Sequence, residues 1–274
     1  MKELGKTRIV IYCVNYNSYD SLTDYLASID KGASNVRDIS TVKVVVADNT
    51  VPCTLVKYNA QNFELEIIPI GENKGYFGAI KHLMEGCSPE NYDYSIISNV
   101  DVLLSEAFFS QLVSYKTSSD IGWIAPRIYS RTLNMDFNPQ ALQRYSCNKM
   151  KALKLLFKYP LLLRLKQKLL HQYREIKTHE AGPVYAGHGS LIILTTAFFR
   201  QCGIIDYPIF LYGEEIYLAE LCRRSQLKVM YAPQIEVFDI GKISTGQIPT
   251  KQYCKYNYLA LDYLIHHFFK SSAS

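Results

Sequence analysis

The stretch YSIISNVD, residues 94–101, reads as a short buried strand from Tyr94 to Ile97 that delivers Ser98, Asn99 and Asp101 at its carboxyl end. Working outward, the pattern recurs. Ile9 to Val14 leads into Asn15 and Asn17, Val42 to Ala47 into Asp48 and Asn49, and Leu65 to Ile70 into Gly71. Between these β-branched runs, Ser18 to Ile29 and Gly75 to Gly86 have helical apolar spacing, the second through Ala79, Ile80 and Leu83. Such alternation predicts an α/β fold, Rossmann-like, with a mostly parallel central sheet and flanking helices. In open α/β sheets ligands bind beyond the carboxyl ends of the strands, so four polar strand ends are expected around one crevice.

The second half is less regular. After Gly122 to Pro126, polar chain leads into a basic segment and then to the apolar stretch Gly189 to Leu194. A helix is expected from Thr196 to Cys202, another from Gly213 carrying Glu214, Glu215, Leu218 and Leu221, and two closing strands at Lys228 to Ala232 and Ile235 to Phe238. The expected organisation is one domain over 1–274, with a basic amphipathic helical insertion at 148–178 and a helical segment at 247–274.

At 274 residues and 48% hydrophobic content the chain can bury a full core. Its seven cysteines are scattered and form no CxxC, which argues against a disulfide framework or structural zinc and for a reducing cytoplasm. The run Ile9 to Val14 is too short for a signal-peptide core. No run of about 18 apolar residues suggests a transmembrane helix.

Charge is uneven. Residues 149–177 hold nine Lys/Arg against one acid, Glu175, a balance of +8 in a chain of net charge +5. Leu153, Leu155, Leu156 and Phe157 alternate with those cations. That suggests an amphipathic hairpin on an anionic membrane surface, peripheral to the inner face of the cytoplasmic membrane. An ordinary helix pair packed on the core, or a homodimer interface, explains the same pattern. Nucleic acid is disfavoured because the patch is leucine-rich rather than interleaved with stacking aromatics.

Asp101, set among Ile96, Ile97, Val100 and Val102, is badly placed unless it meets solvent, a cation or a donor. Asn99 can coordinate but brings no charge. Asp48-Asn49 is either a strand-ending turn or a place where Asp48 accepts a hydrogen bond from a nucleobase imide or ribose hydroxyl. Asn73-Lys74-Gly75-Tyr76 opens a helix whose amides and dipole favour anions, or is a plain cap. In FLYGEEIYLAEL, 210–221, Glu214 and Glu215 either stabilise a first turn or serve as a base and its neighbour. Asp239 is a metal ligand or a turn residue. In Gly187-His188-Gly189-Ser190 the glycines suggest a close backbone approach to a substrate; no GxSxG supports a nucleophile. A carboxylate for a cation and a remote carboxylate for a base suit transfer from a nucleoside-diphosphate donor. No GxGxxG follows the first strand, which removes the dinucleotide oxidoreductases.

With these residues in place, the chain from about Arg8 to Asn257 resembles the family 2 inverting glycosyltransferases of the GT-A fold, especially the rhamnosyltransferase-like branch of bacterial polysaccharide assembly. VNYNS with Asn15 and Asn17, VVVADN with Asp48, ENKGYFGA with Asn73, Lys74 and Gly75, and SNVDV with Asn99 and Asp101 are similar to its donor-side motifs. AGHGSLIIL with Gly187 and His188, and FLYGEEIYL with Glu214, Glu215 and Tyr217, match its acceptor side. The resemblance implies Glu215 as base, Mn2+ or Mg2+ on Asp101 and Asp239, and a UDP-, dTDP- or GDP-sugar donor. It further implies a glycan or polyprenyl-diphosphate-linked acceptor. Glu215 for the usual aspartate, Tyr217 for an acid, Asp239 for a histidine and Lys81 for an asparagine depart from the pattern. A non-catalytic nucleotide-sugar or glycan-binding partner of an active transferase is the alternative.

Overall fold

The computed structural model describes residues 6–34, 36–54, 56–161, 179–241 and 250–269. In chain order these form β1 (Thr7–Asn15), α1 (Tyr19–Ala33), β2 (Ile39–Asp48), β3 (Glu64–Pro69), α2 (Tyr76–Gly86), β4 (Tyr94–Asn99), β5 (Val102–Leu104) and α3 (Phe108–Ser114). There follow β6 (Ile121–Ser130), β7 (Met135–Asp136), α4 (Cys147–Lys158), β8 (Gly182–Val184), β9 (Leu191–Thr195), α5 (Thr196–Cys202), α6 (Glu214–Arg224), β10 (Lys228–Asp239) and α7 (Thr250–Leu264).

One sheet runs β3-β2-β1-β4-β9-β6-β10-β5, with β7 on β6 and β8 on β10. The first four strands are parallel, β9 is antiparallel to both neighbours, and β10 is again parallel to β6. The carboxyl ends of β1, β2, β4, β6 and β10 therefore share one edge with the start of β9. Alternating side chains divide the core. Val10 and Tyr12 of β1, Val45 of β2, Ile97 of β4 and Ile192 of β9 face one cluster. Ile9, Ile11, Val44, Ile96 and Ile193 face the other. Near-continuous apolar strands such as these need cover on both faces. On the second face, α1 supplies Leu22, Tyr25, Leu26 and Ile29 at helical spacing, and α3 adds Phe108, Phe109 and Leu112. On the first, α2, α5, α6 and α7 close the core.

The structure corrects one expectation of the fold. The two closing strands are a single strand, β10, with a register break against β6 between Ala232 and Glu236. The break lets the first half pair with β8 and the second with β5. Of the basic segment, residues 162–178 lie outside the described residues. Its start, α4, turns Met150 into the core, and Leu153 and Phe157 pack against that core. The Phe157 ring meets Tyr253 of α7, and Lys154 pairs with Asp262. Leu155, Tyr159 and Leu161 remain exposed. Part of this leucine-rich stretch thus packs on the domain, and part does not. Among the described residues no helix is long and apolar enough to cross a membrane.

Candidate active site

A cleft of about 580 Å³ opens at the carboxyl edge of the sheet, lined on one side by Asn49, Asn73, Gly75 and Asn99 and on the other by Phe210, Tyr212, Glu214 and Glu215. Register sets the first wall. Asn15 of β1 lies opposite Asp48 of β2, and Val14 opposite Asn99 of β4. Asp48 is 2% exposed, and its carboxylate accepts from Asn15 Nδ2 at 3.1 Å, Thr50 N at 3.1 Å and Tyr19 OH at 2.9 Å. Asn17 sits in an exposed turn with φ 52, its amide bonded to Thr50 Oγ1. Neither Asn15 nor Asn17 nor Asp48 lines the cleft; they shape the loop that presents Asn49.

The start of α2 departs from the anion-site expectation. Gly75 N–H donates to Asn73 Oδ1 at 3.0 Å and Tyr76 N–H to Phe210 O at 3.2 Å, so two amides of the expected cradle are already engaged. Lys74 pairs with Glu72 at 2.8 Å. Gly75 instead joins the two walls. It holds φ 74, ψ −163, and a Cβ there would lie 2.1 Å from Phe210 O.

The floor comes from the antiparallel strand. Asn99 N–H donates to Ser190 O at 2.9 Å, which docks the Gly187–Ser190 loop beside the end of β4. His188 N–H donates to Asn138 Oδ1 at 2.7 Å, its ring stacks on Phe137, and Nδ1 accepts from Ser190 N–H at 3.2 Å. The same Nδ1 lies 2.9 Å from Ser190 Oγ, so the ring is tied to the loop it sits in. Burial holds His188 below its ordinary range, against the charges of Glu215, Asp239 and Asp136. The two glycines make close approaches, but to protein. A Cβ on Gly187 would meet Ala125 at 2.7 Å and the Trp123 ring at 2.8 Å, and one on Gly189 would meet Glu215 Oε1 at 2.8 Å.

Glu214 and Glu215 open α6 and differ in environment. Glu214 is 5% exposed with Oε1 unbonded, and burial followed by the charge of Glu215 pushes its carboxyl up to about 8. Glu215 is half-buried on the cleft wall. Its charge acts on Tyr76 together with those of Glu214 and Asp101, and on His188 together with that of Asp239. Tyr76, whose hydroxyl donates to Gly189 O at 3.0 Å, lines the cleft, whereas Asp101, Asp239 and Lys74 are not among its lining residues. Tyr217 does not reach the cleft. It is 5% exposed, packs on Tyr207 with ring centres 4.7 Å apart, and donates to Asp206 O at 3.0 Å. Lys81, a departure noted in the sequence, pairs with Asp206 at 2.7 Å.

Asp239 lies opposite Val102 in the β10/β5 ladder, and Ile240 N–H donates to Asp101 O at 3.3 Å, so the two acids are neighbours across that ladder. Among the described residues no three His, Cys, Asp or Glu side chains are grouped to hold a metal. Two carboxylates fit Mg2+ or Mn2+ when a diphosphate and water complete the shell, rather than a preformed cage.

No family model matches the chain. Over 236 residues it is 23% identical to the low-salt glycan biosynthesis hexosyltransferase Agl10 of Haloferax volcanii, covering 84% of this chain and 65% of that protein. The chain therefore spans less than two thirds of that relative's length. Among solved structures it is similar to GalNAc-T7 with UDP, GalNAc and Mn2+, at TM-score 0.60 and 14% identity over 96% of this chain and 48% of the other. It is likewise similar to TarS of S. aureus, at 0.57 and 10% over 97% and 41%. The mannosyltransferase PcManGT of Pyrobaculum calidifontis with GDP-Man and Mn2+ gives 0.54 and 11% over 96% and 71%. The fold is the GT-A glycosyltransferase fold. Within it, the polar and aromatic cleft residues not assigned to the site from the sequence are Tyr16, Asn49, Tyr76, Ser190, Phe210, Tyr212, Gln252 and Tyr256. For the last two, on α7, the sequence carries no local signal.

Proposed function

We propose that this chain is a glycosyltransferase that moves a hexose or deoxyhexose from a nucleoside-diphosphate sugar to a glycan hydroxyl, with inversion, in the manner of the family 2, rhamnosyltransferase-like enzymes. The observation that supports it most is the half-buried Glu215 on a cleft wall facing polar strand ends. Its carboxylate, the base, takes the proton of the attacking hydroxyl as the oxygen closes on the anomeric carbon and the nucleoside diphosphate departs. Glu214, whose carboxyl burial pushes up to about 8, is unsuited to the base role at neutral pH. Asn49, Asn73 and Asn99 bind the donor, with Asp48 and Asn15 fixing the loop that carries Asn49. Asp101 and Asp239 would hold a divalent cation, which when bound neutralises charge on the leaving diphosphate. His188 and Gly189 support the acceptor side by fixing the position of Glu215.

The acceptor as a bacterial surface glycan on a polyprenyl diphosphate, and peripheral membrane contact through 149–177, belong to the same reading. The exposed Leu155 and Leu161 beside Lys151 and Lys158 are what favours it. A panel of UDP-, dTDP- and GDP-sugars with Mn2+ tests the reading. One donor should raise the melting temperature and be hydrolysed slowly in a cation-dependent manner. Stabilisation without any turnover would favour a binding partner over an enzyme.

A further inference from the structure

The cleft wall facing the strand ends is largely aromatic. Phe210 and Tyr212 line it from the loop before α6, and Gln252 and Tyr256 from α7. The rings of Phe210 and Tyr256 lie 5.1 Å apart at 36°, and Tyr212 meets Tyr253 edge-on at 5.1 Å. Phe210 and Tyr256 are only half-buried, so ring surface faces the cleft instead of the core.

Gly213 brings α7 to this place. With φ 87, it has Ala260 Cβ and Leu264 Cδ1 each 3.1 Å from where its own Cβ would stand. Any side chain there would press first on the Tyr207 hydroxyl, at 2.6 Å, and then on these two residues of α7. Tyr212 holds φ 74, uncommon for a residue with a side chain and maintained only where the surroundings over-determine it. Two polar atoms of the same wall, Tyr212 OH and Glu214 Oε1, are buried without a hydrogen-bond partner.

Glu215 and these rings line the same cleft, so an acceptor beside Glu215 has aromatic surface within the same cavity. An isoprenoid chain would find no use for the polar groups interspersed among them. A pyranose presents a C–H face suited to an aromatic ring and a rim of hydroxyls that need partners. We propose that Tyr256, Phe210 and Gln252 form an acceptor subsite for a hexopyranose ring of a glycan, stacked on the aromatic side chains with a hydroxyl on the Gln252 amide. This rests on the transferase reading above and adds the class of group that sits beside Glu215.

Saturation-transfer NMR with methyl hexopyranosides, on the full chain with diamagnetic Mg2+ and the nucleotide that stabilises it, tests the subsite. At least one pyranoside should receive saturation on its ring C–H protons. Its apparent affinity should fall about 3–10-fold in Tyr256→Ala, the worth of one ring contact, and return in Tyr256→Phe. Equal affinity in wild type and Tyr256→Ala, with nucleotide stabilisation intact, overturns the subsite while the transferase reading stands. So does Tyr256-dependent binding of farnesyl diphosphate but of no pyranoside. No stabilisation by any nucleotide would remove the transferase reading and the subsite with it.

Discussion

Polar groups on the two sides of the cleft are satisfied to different degrees. At the strand ends, the carboxylate of Asp48 accepts three hydrogen bonds, and Asn15 spans from Asp48 to Ser18 N–H. On the helix side, Glu214 Oε1 and Tyr212 OH are buried and unbonded, Tyr212 is held at positive φ, and Glu214 is pushed toward neutrality. Leaving such groups unpaired costs about 1–3 kcal/mol each. The strand side is therefore organised by its own bonds, and the helix side carries buried polar atoms without protein partners. Asn49 is the one strand-side exception. Its Nδ2 is taken by Gly75 O at 2.9 Å while Oδ1 has no partner.

The contrast can be broken most forcefully where the walls touch. Gly75→Ala puts a Cβ against Phe210 O in a backbone conformation that essentially only glycine adopts, so strain and overpacking together should cost about 4 kcal/mol. Gly203 has nearly the same backbone, φ 73 and ψ −164, with nothing within 4 Å of its would-be Cβ. Gly203→Ala should cost only the strain, about 1–3 kcal/mol. Urea unfolding of both variants reads the difference. Equal losses would mean that the contact between the walls contributes nothing.

Glu214 sharpens the helix side through pH. Its carboxyl ionises at an ordinary 4.5 in the unfolded chain and at about 8 in the folded one. Below the lower value both states are protonated and burial carries no penalty. Between the two, the unfolded state alone loses its proton, so stability falls as pH rises, by on the order of 5 kcal/mol in all. Glu214→Gln should remove that loss, making its advantage over wild type larger at pH 8 than at pH 5. Parallel pH profiles would contradict the burial assigned to this group. The smallest effect lies outside the cleft. Lys81→Ala removes an exposed pair with Asp206 and should change unfolding free energy by less than about 1 kcal/mol.

What the sequence made legible follows the range of the forces involved. Ile9 to Val14, Val42 to Ala47 and Tyr94 to Ile97 are β-branched runs with polar ends, and the strand-side wall came directly from them. Strands β5, β7 and β8 have two or three residues, too few to show a period. Motif position puts Tyr217 at the acceptor side. Yet it sits three residues after the buried Glu214 and next to Leu218, and helical spacing turns it into the core with them. The glycines around His188 signalled a close approach, but which group approaches them is decided by Trp123 and Glu215, remote in the chain. Gln252 and Tyr256 reach the cleft only because Gly213 admits α7, a contact that no local pattern records.

The central claim is that Glu215 and the polar strand ends serve one reaction in one cleft. Turnover of Glu215→Gln, measured with the best donor and Mn2+ alongside nucleotide binding, tests it most directly. The account predicts a loss of at least about 100-fold in turnover with the nucleotide-induced rise in melting temperature retained. Near-wild-type turnover in that variant would contradict it.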